Sequence, residues 1–215
     1  YGLQSGLMAL DIAALQFIYG ANTSFATGDN SYALPIQNDV GTAYTSIWDT
    51  GGADTIYMPG VASCTIDLRA AALQVAEGGG GFISAADGIE GGFTIAASVV
   101  IENAIGNIGN DVLMGNSVAN RLEGGAGEDL LTGFSGKHML LGGAGADIFI
   151  FTSETDSGPT TLSADVIADF DVVQDVLDLR IIDADAGMAG NQAFAFNGFA
   201  SSFTAVSQMR AAYVS

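Results

Sequence analysis

Between residues 6 and 19 (GLMALDIAALQFIY) the apolar positions 8, 12, 15, 18 and 19 recur at a spacing near 3.6, which predicts one helix with Gly20 as its stop. From about residue 30 the pattern changes to short apolar runs broken by Gly, Asn and Asp. Ser46-Ile47-Trp48, Thr55-Ile56-Tyr57-Met58, Thr65-Ile66-Asp67-Leu68 and Phe93-Thr94-Ile95-Ala96 read as strands of a sandwich. The Gly78–Gly81 run reads as a flexible loop. No Gly-Lys-Ser/Thr follows it, so it is not a phosphate cradle.

Residues 106–150 are strictly periodic. In nines they read GNIGNDVLM, GNSVANRLE, GGAGEDLLT, GFSGKHMLL and GGAGADIFI. Gly opens every unit, and position eight is always large and apolar: Leu113, Leu122, Leu131, Leu140 and Phe149. This nonapeptide is a known repeat signature of a parallel β-helix or β-roll. Six residues make a turn and three make a strand whose position-eight side chain points inward. Two strands complete a coil, so turns stack at 18-residue spacing. The turns opening at Gly106, Gly124 and Gly142 share one edge, and those opening at Gly115 and Gly133 share the other.

Composition then narrows the chemistry. The 215 residues carry 24 acidic against 5 basic side chains, a formal net charge of −19. That charge opposes binding to nucleic acid or anionic membrane. It suits hard cations, which take carboxylate and carbonyl oxygens. With 49% hydrophobic and only 13% charged residues, the chain is a folded acidic protein rather than a solvated polyanion. No run of 18 apolar residues spans a membrane. Cys64 is the lone cysteine, in a strand-like stretch, and reads as buried and inert.

Glycine at positions one, two and four lets carbonyl oxygens curl toward a common point, and aspartate at position six adds a carboxylate. Calcium wants six to eight oxygens at roughly 2.3–2.6 Å, more than one turn supplies but within reach of two stacked turns. The first edge carries Asp111, Asp129 and Asp147, with carbonyls from Asn107, Gly109, Gly124, Gly125, Gly127, Gly142, Gly143 and Gly145. Two sites are expected there, between turns 106/124 and 124/142. The second edge reads as degraded. Val118 replaces a glycine, Asn120 and His138 stand at position six, and Lys137-His138 would place positive charge where a ligand belongs. Glu102 falls at position six of the boundary unit 97–105 and extends this weaker edge. Outside the repeats, Asp49 and Asp54 flank a Gly-Gly turn, and Asp165, Asp169, Asp175 and Asp178 alternate with apolar residues. Both clusters are candidate calcium ligands, with Asp165, Asp169 and Asp175 taken from the second; the plainer reading of each is a surface turn or a solvated strand face.

Several stretches together resemble the C-terminal part of serralysin-like secreted metalloproteases. They are Leu10-Asp11-Ile12-Ala13-Ala14-Leu15-Gln16 with Tyr19-Gly20-Ala21-Asn22, Trp48-Asp49-Thr50-Gly51-Gly52-Ala53-Asp54-Thr55, Ile101 to Gly106, the nonapeptides, Asp165 to Phe170 and Asp175 to Leu179. The resemblance implies a calcium site from carbonyls near Ala26, Gly28 and Asn30 with Asp49, Gly51 and Asp54. It implies a neighbouring site from Gly52, Asp54, the Val100 carbonyl and Glu102. It also implies several calcium ions, a secreted, extracellular location and export through a type I secretion apparatus. Tyr57 stands where the family has an acidic residue, and Val173 where it has a glycine. The start at Tyr1-Gly2-Leu3 and the end at Ala211–Ser215 give the expectation of a chain that begins inside a longer protein and is cut short at its C-terminus.

The resulting expectation is an all-β fold, a parallel β-roll continuous with a β-sandwich, with one N-terminal helix. Residues 1–22 form a connecting helix, 23–100 the sandwich part, 101–152 the calcium-binding roll and 153–215 C-terminal strands. The family's protease chemistry needs three zinc-binding histidines and a glutamate base. This chain holds one histidine, His138, and no Gly-x-Ser-x-Gly elbow, so no catalytic residue is assigned and zinc belongs to a domain outside it. Two functions stay open: the calcium-binding part of a secreted zinc protease, or a stand-alone calcium-dependent adhesion module. The chain is expected to be monomeric.

Overall fold

The structure is a computed structural model, and it describes residues 4–158, 160 and 162–182 together with the backbone of strands Ala195–Phe199 and Gln208–Ala211. The expected ending at Ala211–Ser215 lies outside the described residues from 212 on, as do residues 1–3.

Two six-stranded sheets face each other. The first runs in the order Ser31–Ala33, Thr55–Tyr57, Asn103–Asn107, Arg121–Ala126, Met139–Ala144, Val166–Ile167. The second runs Val176–Asp178, Ile148–Ile150, Leu130–Thr132, Val112–Met114, Cys64–Asp67, Ala85–Ala86. Every pairing is parallel except the last, where Cys64 faces Ala86 antiparallel. Within the repeats the register is the expected 18 residues: Val112 pairs with Leu130, Leu130 with Ile148 and Arg121 with Met139.

The region read as a sandwich uses the same winding. Ser31 pairs with Thr55, Thr55 with Asn103 and Thr65 with Val112, so its strands are coils of the roll with longer excursions between them. Two of these excursions pair with each other in a separate two-stranded parallel sheet, Tyr44–Ile47 with Gly92–Ile95. The far end repeats the pattern, with Met139 on Val166 and Ile148 on Val176.

The core is a double stack of inward side chains. Ile56, Ala104, Leu122 and Leu140 come from the first sheet and Ile66, Leu113, Leu131 and Phe149 from the second, all fully buried. Each position-eight residue sits above its equivalent one coil away, so the apolar contact repeats along the axis.

The helix spans Ala9–Tyr19 rather than 6–19. Ser5 N–H donates to the Tyr44 carbonyl at 2.9 Å and Gly6 has φ +88°, so the segment before Met8 lies along a strand instead. Gly20 stops the helix as expected, its N–H donating to Gln16 O at 2.9 Å. The periodic face packs little within the described residues: only Ala9 is buried, while Phe17, Ile18 and Tyr19 are exposed. The Gly78–Gly81 run is a pinned turn, with Gly79, Gly80 and Gly81 N–H groups bonded to Ala76, Ala72 and Gly78 carbonyls.

Candidate metal sites

Each edge of the roll carries a ladder of side chains. On the first edge, the residue at position six accepts the backbone N–H of its equivalent one coil back. Asp111 Oδ1 accepts from Cys64 at 2.7 Å, Asp129 from Asp111 at 2.8 Å, Asp147 from Asp129 at 2.9 Å and Asp175 from Asp147 at 3.0 Å. The steps are 47, 18, 18 and 28 residues. Asp175 is therefore the closing rung of this edge. Asp169 ends the neighbouring row, accepting Gly142 N–H at 3.1 Å and Gly143 N–H at 2.8 Å.

One oxygen of each inner aspartate is used in this way; the other is left over. Asp129 Oδ2 and Asp147 Oδ2 are buried without a hydrogen-bond partner. Burial, opposed by the Asp111 N–H, pushes the Asp129 carboxyl up to about 6; Asp147 is raised too, with burial again the leading cause. Position one must be glycine, because a Cβ on Gly124 or Gly142 would strike the Oδ2 of its own turn's Asp129 or Asp147. A Cβ on Gly125, Gly127, Gly143 or Gly145 would overlap the carbonyl oxygen of Asn107, Gly109, Gly125 or Gly127. Those four carbonyls are thus aimed along the stack at the next turn. Asn107 and Gly109 differ in backbone from their equivalents, since neither has positive φ. Asn107 donates to Asp111 Oδ2 at 3.0 Å and to Gly60 O at 2.8 Å, and Gly109 lies against Ser63.

The second edge also carries a ladder, in which the sequence places Glu102, Asn120 and His138 but not Asn30, Asp54 and Asp165. Asp54 Oδ1 accepts Asn30 N–H at 2.7 Å, and Glu102 Oε2 accepts Asp54 N–H at 2.8 Å. His138 Nδ1 accepts Asn120 N–H at 3.3 Å, and Asp165 Oδ1 accepts His138 N–H at 2.8 Å. Asp165 is the closing rung here, and burial raises its carboxyl to about 7. Its Oδ2 is buried and unpartnered, as is that of Asp54. The signal was present: an Asp, Glu, Asn or His followed two places on by an inward apolar residue, as in Asp54-Thr55-Ile56, Glu102-Asn103-Ala104 and Asp165-Val166-Ile167. His138 corrects its own part of the expected positive charge at this edge: it is 1% exposed, and burial pushes its imidazole below the ordinary value, which favours the neutral ring at pH 7.

At the start of this edge the Asp49–Asp54 turn is exposed at Gly51, Gly52 and Ala53 but buries both of its aspartates. Asp49 is 4% and Asp54 0% exposed. Gly51 N–H donates to Asp49 Oδ1 at 2.9 Å and the Tyr32 hydroxyl to Asp49 Oδ2 at 2.6 Å. Burial and the nearby Asp49 and Glu102 charges raise Asp54. The Asn30 carboxamide oxygen faces acceptors alone. Turned over, the amide donates to Gly28 O at 2.7 Å and Asp49 Oδ2 at 3.2 Å. Gly52 lies against the Gly28 carbonyl, and Ala26, at φ +50°, offers its carbonyl to Thr50 N–H at 3.1 Å. Val100 is 42% exposed, and no described contact ties its carbonyl to Asp54 or Glu102.

Among the described residues, no three His, Cys, Asp or Glu side chains converge as a metal cluster. Any ion must therefore draw most of its oxygens from the backbone. The donor set fits a hard cation: buried carboxylate oxygens without partners, beside stacked carbonyls.

Comparison with known proteins agrees with this architecture. Residues 10–212 match the family described as peptidase M10 serralysin C terminal. The chain is 43% identical over 200 residues to metallopeptidase AprA of Pseudomonas marginalis, covering 88% of this chain and 39% of that protein. It is 44% identical over 191 residues to a serralysin of Photorhabdus luminescens, covering 84% of this chain and 37% of that one. Against serralysin G of Dickeya chrysanthemi the values are 45% over 179 residues, 79% and 35%. The chain spans under two fifths or so of the length of these curated relatives.

Proposed function

This chain belongs to the peptidase M10 serralysin C-terminal family, and from that premise we propose that it is the calcium-binding part of a secreted zinc protease, folding when it meets calcium outside the cell. The observation that carries the reading is the pair of buried, partnerless oxygens, Asp129 Oδ2 and Asp147 Oδ2, beside carbonyls aimed along the stack from turn to turn. Asn107, Gly109, Gly124, Gly125, Gly127, Asp111 and Asp129 would hold one ion. Gly125, Gly127, Gly142, Gly143, Gly145, Asp129 and Asp147 would hold a second. Ala26, Gly28, Asn30, Asp49, Gly51 and Asp54 would hold another at the start of the roll, with Gly52, Val100 and Glu102 beside it and Asp165, Asp169 and Asp175 at the far end. When bound, calcium supplies positive charge that offsets the crowded carboxylates.

The chain's own residues do the rest. Asp129 and Asp147 each spend one oxygen on the previous coil and keep the other for the ion, so ion binding and coil stacking use one side chain. A net charge of −19 sets the calcium-free chain against itself. Calcium bound to the folded roll and hardly to the unfolded chain adds stability by mass action, about 4 kcal/mol per site at a thousandfold excess over the dissociation constant. Domains are stable by only ~5–15 kcal/mol, so two or three such sites decide whether the roll exists. That logic suits export as an unfolded chain through a type I apparatus and folding outside. Proteolysis and its zinc belong to a domain this chain does not carry, and the greater length of the relatives favours this over a free-standing adhesion module.

Equilibrium dialysis tests the reading. The full chain is expected to retain several calcium ions and Asp129→Ala at least one fewer; unchanged stoichiometry would refute the assignment.

A further inference from the structure

The two edges of the repeat region differ in what fills position six, and the difference reaches beyond the number of ions. In the turn opening at Gly115, every amide group is used internally. Asn120 Oδ1 accepts Asn116 N–H at 2.8 Å, and its Nδ2 donates to Glu102 O at 3.1 Å and Asn116 Oδ1 at 3.2 Å. Asn116 Nδ2 in turn donates to Ile101 O at 2.9 Å and Leu68 O at 3.1 Å. Neither amide keeps a side-chain oxygen free for a cation, since Asn116 Oδ1 also accepts the Val118 N–H at 3.0 Å.

In the turn opening at Gly133, the imidazole of His138 occupies the place that a carboxylate holds on the other edge. Gly133 and Gly136 make room for it: a Cβ at either would come within 2.6 and 2.8 Å of ring atoms. Nδ1 accepts the Asn120 N–H, so the proton of the neutral ring resides on Nε2. That nitrogen is buried without a hydrogen bond, although the Phe134 and Ser135 carbonyls lie near enough to favour the protonated ring. An N–H at this point repels a cation where Asp129 Oδ2 would attract one. Phe134, at φ +65°, holds a backbone conformation that costs a bulky residue, and the Arg69 guanidinium lies 5.0 Å from its ring centroid.

We infer that the turns opening at Gly115 and Gly133 are a metal-free seam, in which His138 and Asn120 take the structural part of the ladder and exclude calcium from between those two turns. The roll is then asymmetric: one edge of the repeats answers to calcium, while the other is closed by neutral hydrogen bonds. This rests on the calcium reading of the Asp129 edge, and within the seam His138 is the residue that places an N–H where the other edge has a free carboxylate oxygen.

The test is calcium located by its anomalous scattering in crystals of the full chain and of His138→Asp, both grown in calcium. The wild type is expected to show ions on the Asp111–Asp129–Asp147 edge and none between turns 115 and 133, and His138→Asp to gain one ion there. An ion between those turns in the wild type overturns the inference while leaving the calcium reading intact. So does a His138→Asp crystal with no added ion. Crystals with no ion on either edge defeat the calcium reading itself, and the asymmetry with it. In solution, the ¹⁵N spectrum of wild-type His138 at pH 7 is expected to show an unprotonated Nδ1 and a protonated Nε2; the opposite tautomer or a doubly protonated ring overturns the inference independently of any metal.

Discussion

The carboxylate of Asp129 accepts the backbone N–H of Asp111 at 2.8 Å across 18 residues of chain, and this bond uses only one of its two oxygens. Asp129→Asn separates the two duties. The amide keeps an acceptor for the Asp111 N–H and places an NH₂ where the free oxygen was. The variant is expected to match or exceed the wild type in stability in chelator, because a buried carboxylate is gone, and to gain less from calcium. Urea midpoints with and without calcium check this. A variant that loses stability in chelator but responds to calcium normally would show that the oxygen serves the fold alone.

Gly145 sits at φ +142°, and a Cβ there would overlap the Gly127 carbonyl oxygen. Gly145→Ala both strains the backbone and displaces a carbonyl aimed at the proposed ion. A loss of more than about 1 kcal/mol is expected from the backbone alone, with a weaker response to calcium on top. Thermal melts at saturating calcium and in chelator separate the two parts.

The acid side of the stability profile should be inverted in chelator. Burial raises Asp129 to about 6 and Asp165 to about 7, and raises Asp54 and Asp147 as well. Unfolded aspartates titrate near 3.9. Between about pH 4 and 7 the folded chain therefore holds protons that the unfolded chain has released, and stability falls as pH rises. His138, lowered by burial, acts in the opposite sense just below its ordinary value, one group against four. Urea midpoints in chelator are expected to be higher at pH 5 than at pH 7, and calcium at pH 7 to erase the deficit. A midpoint that climbs from pH 5 to 7 in chelator would contradict the desolvated state of these carboxylates.

The repeat region was legible because its period is constant. Gly at position one and the apolar residue at position eight fixed the 18-residue register, the two edges and the core stack before any coordinates were needed. The flanking coils were not, for a physical reason. Winding demands only that an Asp-x-apolar unit return to the same edge, and the chain between returns is free to lengthen. Asn30, Asp54 and Glu102 are 24 and 48 residues apart, and His138 and Asp165 are 27. With no fixed period, the sequence does not show that those strands pair directly into the roll's own two sheets. His138 was misjudged because sequence shows its type and not its burial, and burial decides its charge. The helix was found but not its partner, since periodicity marks an apolar face without saying what covers it.

The central claim is that calcium and the fold are one equilibrium. A calcium titration of the purified chain followed by far-UV circular dichroism tests it most directly. A cooperative gain of β signal with calcium that magnesium does not reproduce is the predicted result. A full β signal in chelator that calcium leaves unchanged would contradict the account.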